Sequence, residues 1–289
     1  MSQLRYLFLF FLLLLSQPGS SHESSLRIVT EQWPPMSFEK DGTAQGMAVE
    51  LTRLIQKNLA MHGEIEVLPW PRAYNTALTQ SNVLLFAMIR TPEREKNFTL
   101  IGPIAYGEIA LYMPANGRAL KNVPDLANIK KSLTVATYRG TAFQSLLKQQ
   151  GFKKVVPVNS PENAVRMLMS GRVDVLCDDD LAIAELFRRA GYLPQDSIKV
   201  ASLKSSSLYY AFSRETEPLV ISNWQSALAE IKHTGDFERL YKKWFPHLTA
   251  PKELLRLTPP VRVGFRLLEM PVKRPQVAEL LIFRPPDLK

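Results

Sequence analysis

From residue 26 onward the chain alternates between short, continuous apolar runs and stretches whose apolar residues recur at helical spacing. This alternation is the strongest constraint on the fold. Strands buried on both faces and interleaved with one-sided helices build an α/β layer structure on a largely parallel sheet. Residues 26–29 read as a strand that ends before Trp33-Pro34-Pro35, residues 65–68 as a second, and residues 83–88, apolar throughout, as a third covered on both sides. Between the first two, Leu51, Leu54, Ile55 and Leu59 share one helical face. The pattern then repeats. Residues 133–136 begin a further strand, and Thr141 and Gln144 have the spacing of a capping box. Ser160-Pro161 supplies a cap and a first-turn proline to a helix ending near Gly171. Residues 173–177 form another strand, followed by a helix on Ala182, Ile183, Leu186 and Phe187 that stops near Gly191. Trp224, Leu228 and Ile231 share a face, and after Gly235-Asp236 the spacing resumes on Phe237, Leu240, Tyr241 and Trp244.

With 289 residues the chain can form one large or two ordinary domains. Its single cysteine, Cys177, excludes an internal disulfide and any cysteine-based zinc site, and is expected as a small buried hydrophobe. A net charge of +9 invites a nucleic-acid reading, but Arg5 contributes +1 and residues 252–289 contribute +4. The remaining +4 is spread over residues 22–250, too thin for a basic binding face. Arg5 precedes the apolar run of residues 6–15 and the small residues Ser16 to Ser21. That is the layout of a secretory signal peptide, residues 1–21, and the run is about half the ~20 residues needed to span a bilayer. A soluble exported protein without stable membrane insertion is expected. From Pro251 onward seven of the 21 prolines crowd into 39 residues without a clean period, so residues 250–289 read as a Pro-rich basic tail, partly extended or disordered.

Taken in order, the motifs resemble the extracellular solute-binding proteins of the polar amino-acid type that serve ABC importers. Leu26-Arg27-Ile28-Val29-Thr30, Trp33-Pro34-Pro35 and Gly46-Met47-Ala48-Val49-Glu50-Leu51 resemble the family's opening strand, aromatic-proline turn and first helix. Thr91-Pro92-Glu93-Arg94 resembles its carboxylate-binding arginine motif, and Arg139-Gly140-Thr141 with Gly171-Arg172-Val173-Asp174 its second-lobe landmarks. Residues 227–232 with Gly235, and residues 240–245, resemble the closing helices. The resemblance implies an α/β two-lobed periplasmic-binding-protein fold with two hinge crossings, near residues 108–113 and 204–210, and a ligand cleft between the lobes. Residues 22–110 and 206–249 would form lobe one, and residues 111–205 lobe two.

Arg94 is the first candidate ligand contact. Thr91 can cap a helix and Pro92 suits its first turn, so Arg94 projects from a helix start. Its planar fork can grip a carboxylate with two parallel hydrogen bonds. By residues alone a surface arginine in a first turn is the expected outcome; the resemblance reverses this and favours the ligand role. Where the family carries small or hydroxyl residues, this chain has Ala87 and Ile89, and Arg90 either supplies the missing donors or faces solvent. Trp33, stiffened by two prolines, and Tyr74 are candidate aromatic walls or core residues, and Arg72 is a further cationic contact or an exposed loop residue. Gly140 allows close backbone approach, and Thr141 can bind carboxylate oxygens, cap a helix, or do both. Among Asp178-Asp179-Asp180, the resemblance assigns the ligand's ammonium group to Asp179 and leaves its neighbours as capping acids.

The expected function is therefore capture of a small anionic or zwitterionic solute, amino-acid-like and carboxylate-bearing, by a monomer that delivers it to an ABC permease. No catalytic residue, cofactor, metal or nucleic acid is expected. The four histidines are scattered, and no Gly-rich phosphate loop or hydrolytic triad is present. Two alternatives remain open: a dehydratase-like enzyme on the same scaffold, with Glu50 or Asp179 as acid or base, and a soluble sensory ligand-binding module.

Overall fold

The computed structural model describes residues 26–115 and 123–260; the segment read as a signal peptide and the tail beyond Pro260 lie outside them. In chain order the elements are β1 (Arg27–Glu31), β2 (Phe38–Lys40), β3 (Thr43–Gln45), α1 (Met47–Asn58), β4 (Ile65–Leu68), α2 (Trp70–Thr79), β5 (Val83–Ile89), α3 (Pro92–Glu95) and the 16-residue β6 (Thr99–Pro114). There follow α4 (Leu126–Ser132), β7 (Thr134–Tyr138), α5 (Ala142–Gln149), β8 (Lys154–Val158), α6 (Pro161–Met169), β9 (Val175–Asp179) and α7 (Ile183–Ala190). The 16-residue β10 (Ser197–Phe212), α8 (Pro218–His233), α9 (Asp236–Trp244) and β11 (Leu255–Leu257) complete the set.

A nine-stranded sheet runs β4-β1-β5-β10-β6-β9-β7-β8, with β11 beside β6. One lobe is organised on β1, flanked in parallel by β4 and β5, with α2 on one side and α1 packed with α8 and α9 on the other. The second is organised on β7, flanked in parallel by β8 and β9, with α5 and α6 against it. The long strands β6 and β10 pair antiparallel and belong to both lobes. β10 meets β5 only from Leu208 onward, and β6 meets β9 only from Ile109. Between those attachments the two strands pair with each other, and this ribbon joins the lobes.

The apolar runs become the most buried strands, since β5 is buried at every position. Aromatic contacts key α8 onto the sheet: Trp224 lies edge-on to Tyr210 at 5.6 Å and to Phe212 at 6.0 Å. Cys177 is fully buried in β9, and burial pushes its thiol well above the ordinary range. Ser160 caps α6 as its Ser-Pro pair leads one to expect. The expected Thr141–Gln144 capping box does not form. The Thr141 hydroxyl donates instead to the Tyr138 carbonyl at 2.7 Å, and Gln144 accepts from the Gly140 amide.

The start of the Pro-rich segment is ordered structure. Leu255–Leu257 adds to the outer edge of β6 opposite Leu100–Gly102, covering an otherwise open sheet edge. Lys232 Nζ holds it there, donating to the carbonyls of Pro103, Pro251 and Glu253 at 2.9, 3.0 and 2.6 Å.

Candidate functional site

The first lobe places Arg94 by a local device. Thr91 caps α3, its hydroxyl accepting from the Arg94 amide at 3.2 Å, and Pro92 fills the first turn. The Arg94 side chain turns inward and is only 6% exposed. Its Nη1 donates to the Ile89 carbonyl at 2.7 Å, at the end of β5. The guanidinium lies 4.5 Å from the centre of the Trp70 ring and 5.4 Å from that of Tyr74. Burial lowers its pKa to about 10, so it stays cationic at neutral pH.

Arg94 faces a cavity walled by both lobes. Glu31, Trp33, Trp70 and Arg94 come from the first, and Tyr138, Thr141, Phe143 and Asp178 from the second. The cavity encloses about 20 Å³, room for roughly one water. It adjoins an outer cleft of about 390 Å³ through the shared walls Ile89, Arg94 and Ala142. The acids of the inner cavity are strongly perturbed. Burial raises Glu31 to about 8 against the pull of Arg94, and the nearby Asp178 charge raises it further. Burial likewise raises Asp178 to about 7, opposed by the Asp179 amide, which donates to its Oδ1 at 2.8 Å. No side-chain hydrogen bond holds the Glu31 carboxylate among the described residues. The arrangement sets one buried cation against two buried acids, with aromatic walls between the lobes. It presents groups of both charge types, but with room for roughly one water it admits a larger molecule only when the lobes stand further apart.

Among the expected site residues, Arg94, Trp33 and Thr141 line the inner cavity. Tyr74, Arg90 and Gly140 line the outer cleft. Arg90 is partly exposed and pairs with Glu95 at 2.6 Å, so its charge is engaged there. Arg72 is exposed and lines neither space, because it sits on the outer face of α2 while Ala73 and Thr76 face inward. Asp179 lines neither space. Its carboxylate accepts from Ser206 Oγ on β10 and from the Leu181 amide, so it ties the second lobe to the hinge. Successive strand residues point to opposite faces, and the acid that reaches the cavity is Asp178, one residue earlier. Glu50, the other acid named as a general base, pairs with Lys243 at 2.8 Å on α9 and lines neither space. Glu31, Trp70 and Tyr138 were not singled out from sequence; a lone acid closing an apolar strand at Glu31 is the signal that could have found the first. Among the described residues no group of three or more His, Cys, Asp or Glu side chains is placed to hold a metal ion.

Two α/β lobes hung on a pair of shared strands, with a buried arginine and a buried acid of one lobe facing a buried acid of the other, define a binding protein of the lobe-and-hinge class. Residues 26–247 match the family of bacterial extracellular solute-binding proteins, family 3, and the chain belongs to that family. It is 24% identical over 228 residues to the amino-acid-binding protein AabA of Dichelobacter nodosus, covering 78% of this chain and 88% of that one. It is 22% identical over 215 residues to the arginine-binding extracellular protein ArtP of Bacillus subtilis, covering 74% and 82%. A solved histidine kinase sensor domain with similarity to periplasmic binding proteins superposes with a TM-score of 0.69 at 20% identity, over 78% of this chain and 99% of that one. That likeness is one of fold. Among the described residues no helix is long and apolar enough to cross a membrane.

Proposed function

We propose that the protein captures an amino-acid-like solute between its lobes in the periplasm and delivers it, as a monomer, to an ABC importer. The observation that carries this reading is the cavity that brings Arg94 of one lobe against Asp178 of the other. Arg94 clamps the solute's carboxylate, its guanidinium held from behind by the Ile89 carbonyl and by Tyr74. Asp178 takes the ammonium group in place of Asp179. Ile89 lines the cavity without a side-chain donor, so the carboxylate depends on Arg94 more than it would beside hydroxyl residues. A solute touching both lobes favours an arrangement that offers both sets of contacts, with the lobes further apart than here, where the cavity has room for roughly one water.

Glu31 adds a second acid, which suits a solute with a further positive group. The names of AabA and ArtP support an amino acid, and that of ArtP a basic one. The description of the family as extracellular supports residues 1–21 as an export signal. The test is a thermal-shift and calorimetric panel of L-arginine, L-lysine, neutral amino acids, L-glutamate and dicarboxylates. Saturable binding of an amino acid, strongest for the basic ones, supports the reading. Binding of none, or of dicarboxylates in preference, contradicts it.

A further inference from the structure

Trp70 makes contacts that no solute provides. It opens α2 between Pro69 and Pro71, is 2% exposed, and belongs to the first lobe. As a first-turn residue its amide has no partner within the helix. That amide donates to the Tyr138 hydroxyl at 3.2 Å, and its indole Nε1 donates to the Gly140 carbonyl at 2.8 Å. Both acceptors belong to the second lobe. Gly140, in a left-handed turn with φ 73°, holds that carbonyl where strand β7 gives way to α5. The same ring carries Arg94, whose guanidinium lies 4.5 Å from its centre. A second cross-lobe contact, Trp33 to Phe143 at 6.4 Å, lies in the same cavity.

We propose that Trp70 latches the closed arrangement, its two N–H groups bonding the opposite lobe while its ring carries the Arg94 guanidinium. Separating the lobes breaks both hydrogen bonds and exposes the indole, whereas the stack on Arg94 stays within the first lobe. The closed arrangement is thus favoured by the protein's own groups, and the free protein populates it before any solute bridges the cleft. Each such hydrogen bond biases the equilibrium about 2- to 10-fold. Trp70 sets how readily the cleft opens. The inference holds whichever solute is bound.

The test is pulsed electron-spin distance measurement on the full mature chain, labelled at Asn75→Cys on α2 and Lys148→Cys on α5, both exposed and flanking the latch. Cys177 is buried and stays unlabelled in the folded protein. Without any solute, wild type shows a populated short distance. Trp70→Phe keeps a ring over Arg94 but loses the indole donor, and lowers the closed-to-open ratio about 2- to 10-fold. Tyr138→Phe removes the other bond and moves the ratio the same way; it also decides the matter if Trp70→Phe fails to fold by circular dichroism. A solute-free wild type showing only the long distance overturns the proposal, as does an unchanged ratio in the folded variants. Since no solute is used, failure of the amino-acid reading leaves this result interpretable.

Discussion

The Arg94 guanidinium rests 4.5 Å from the centre of the Trp70 ring while that indole bonds Gly140 of the other lobe at 2.8 Å. One residue thereby shares the arginine's surroundings with the seam between the lobes. A buried arginine usually requires an ion-pair partner to offset its lost hydration. Here the Ile89 carbonyl and two aromatic faces carry part of that cost, and Glu31 adds opposite charge only as it ionises, its pKa being raised by burial to about 8.

Asp178 and Asp179 separate by function although they are neighbours. Asp178→Asn is expected to weaken amino-acid binding by about 10- to 100-fold, the range of a charge-assisted hydrogen bond, with little change in urea midpoint. Asp179→Ala leaves Ser206 and the Leu181 amide unpaired at the hinge and is expected to cost about 1–3 kcal/mol of stability. Parallel calorimetry and urea unfolding of the two variants check this; a reversed pattern returns the ligand role to Asp179.

The acids also set a pH dependence. Glu31 is raised from 4.5 to about 8 and Asp178 from 3.8 to about 7 on folding. Between the unfolded and folded values the native state holds more protons, so their contribution to stability is complete below about pH 4 and is lost as pH rises to about 8. Urea midpoints are expected to fall from pH 5.5 to 8.5 in the solute-free protein, and Glu31→Gln should flatten that slope. Affinity for a basic amino acid should rise over the same range as both carboxylates ionise.

Lys232 tests the ordered start of the tail. Lys232→Met leaves three carbonyls without their shared donor and is expected to loosen residues 250–257. Faster limited proteolysis within that segment, with a loss of about 1–3 kcal/mol in urea unfolding, is the expected outcome.

The strand-and-helix framework was legible because its cause is local. Residues 83–88 had to be covered on both faces, and they became β5 in the middle of the first lobe. Thr91-Pro92 placed Arg94 through a cap readable from the motif. The two long strands were harder, since Ser205-Ser206-Ser207 carries no apolar signature and β10 owes its length to pairing with β6. The site was legible only in part. Choosing between Asp178 and Asp179 depends on strand parity, which a one-residue change in the strand's end reverses. Glu31, Trp70 and Tyr138 meet only because the lobes meet, and that relation between distant segments leaves no local pattern.

The central claim is that Arg94 holds the solute's carboxylate. Its most direct test is isothermal titration of the bound amino acid into wild type, Arg94→Lys and Arg94→Ala, each first shown to be folded. Binding by wild type, a loss of about 10- to 100-fold in Arg94→Lys, whose ammonium cannot reproduce the planar fork, and no detectable binding in Arg94→Ala are expected. Equal affinity in wild type and Arg94→Ala would contradict the account.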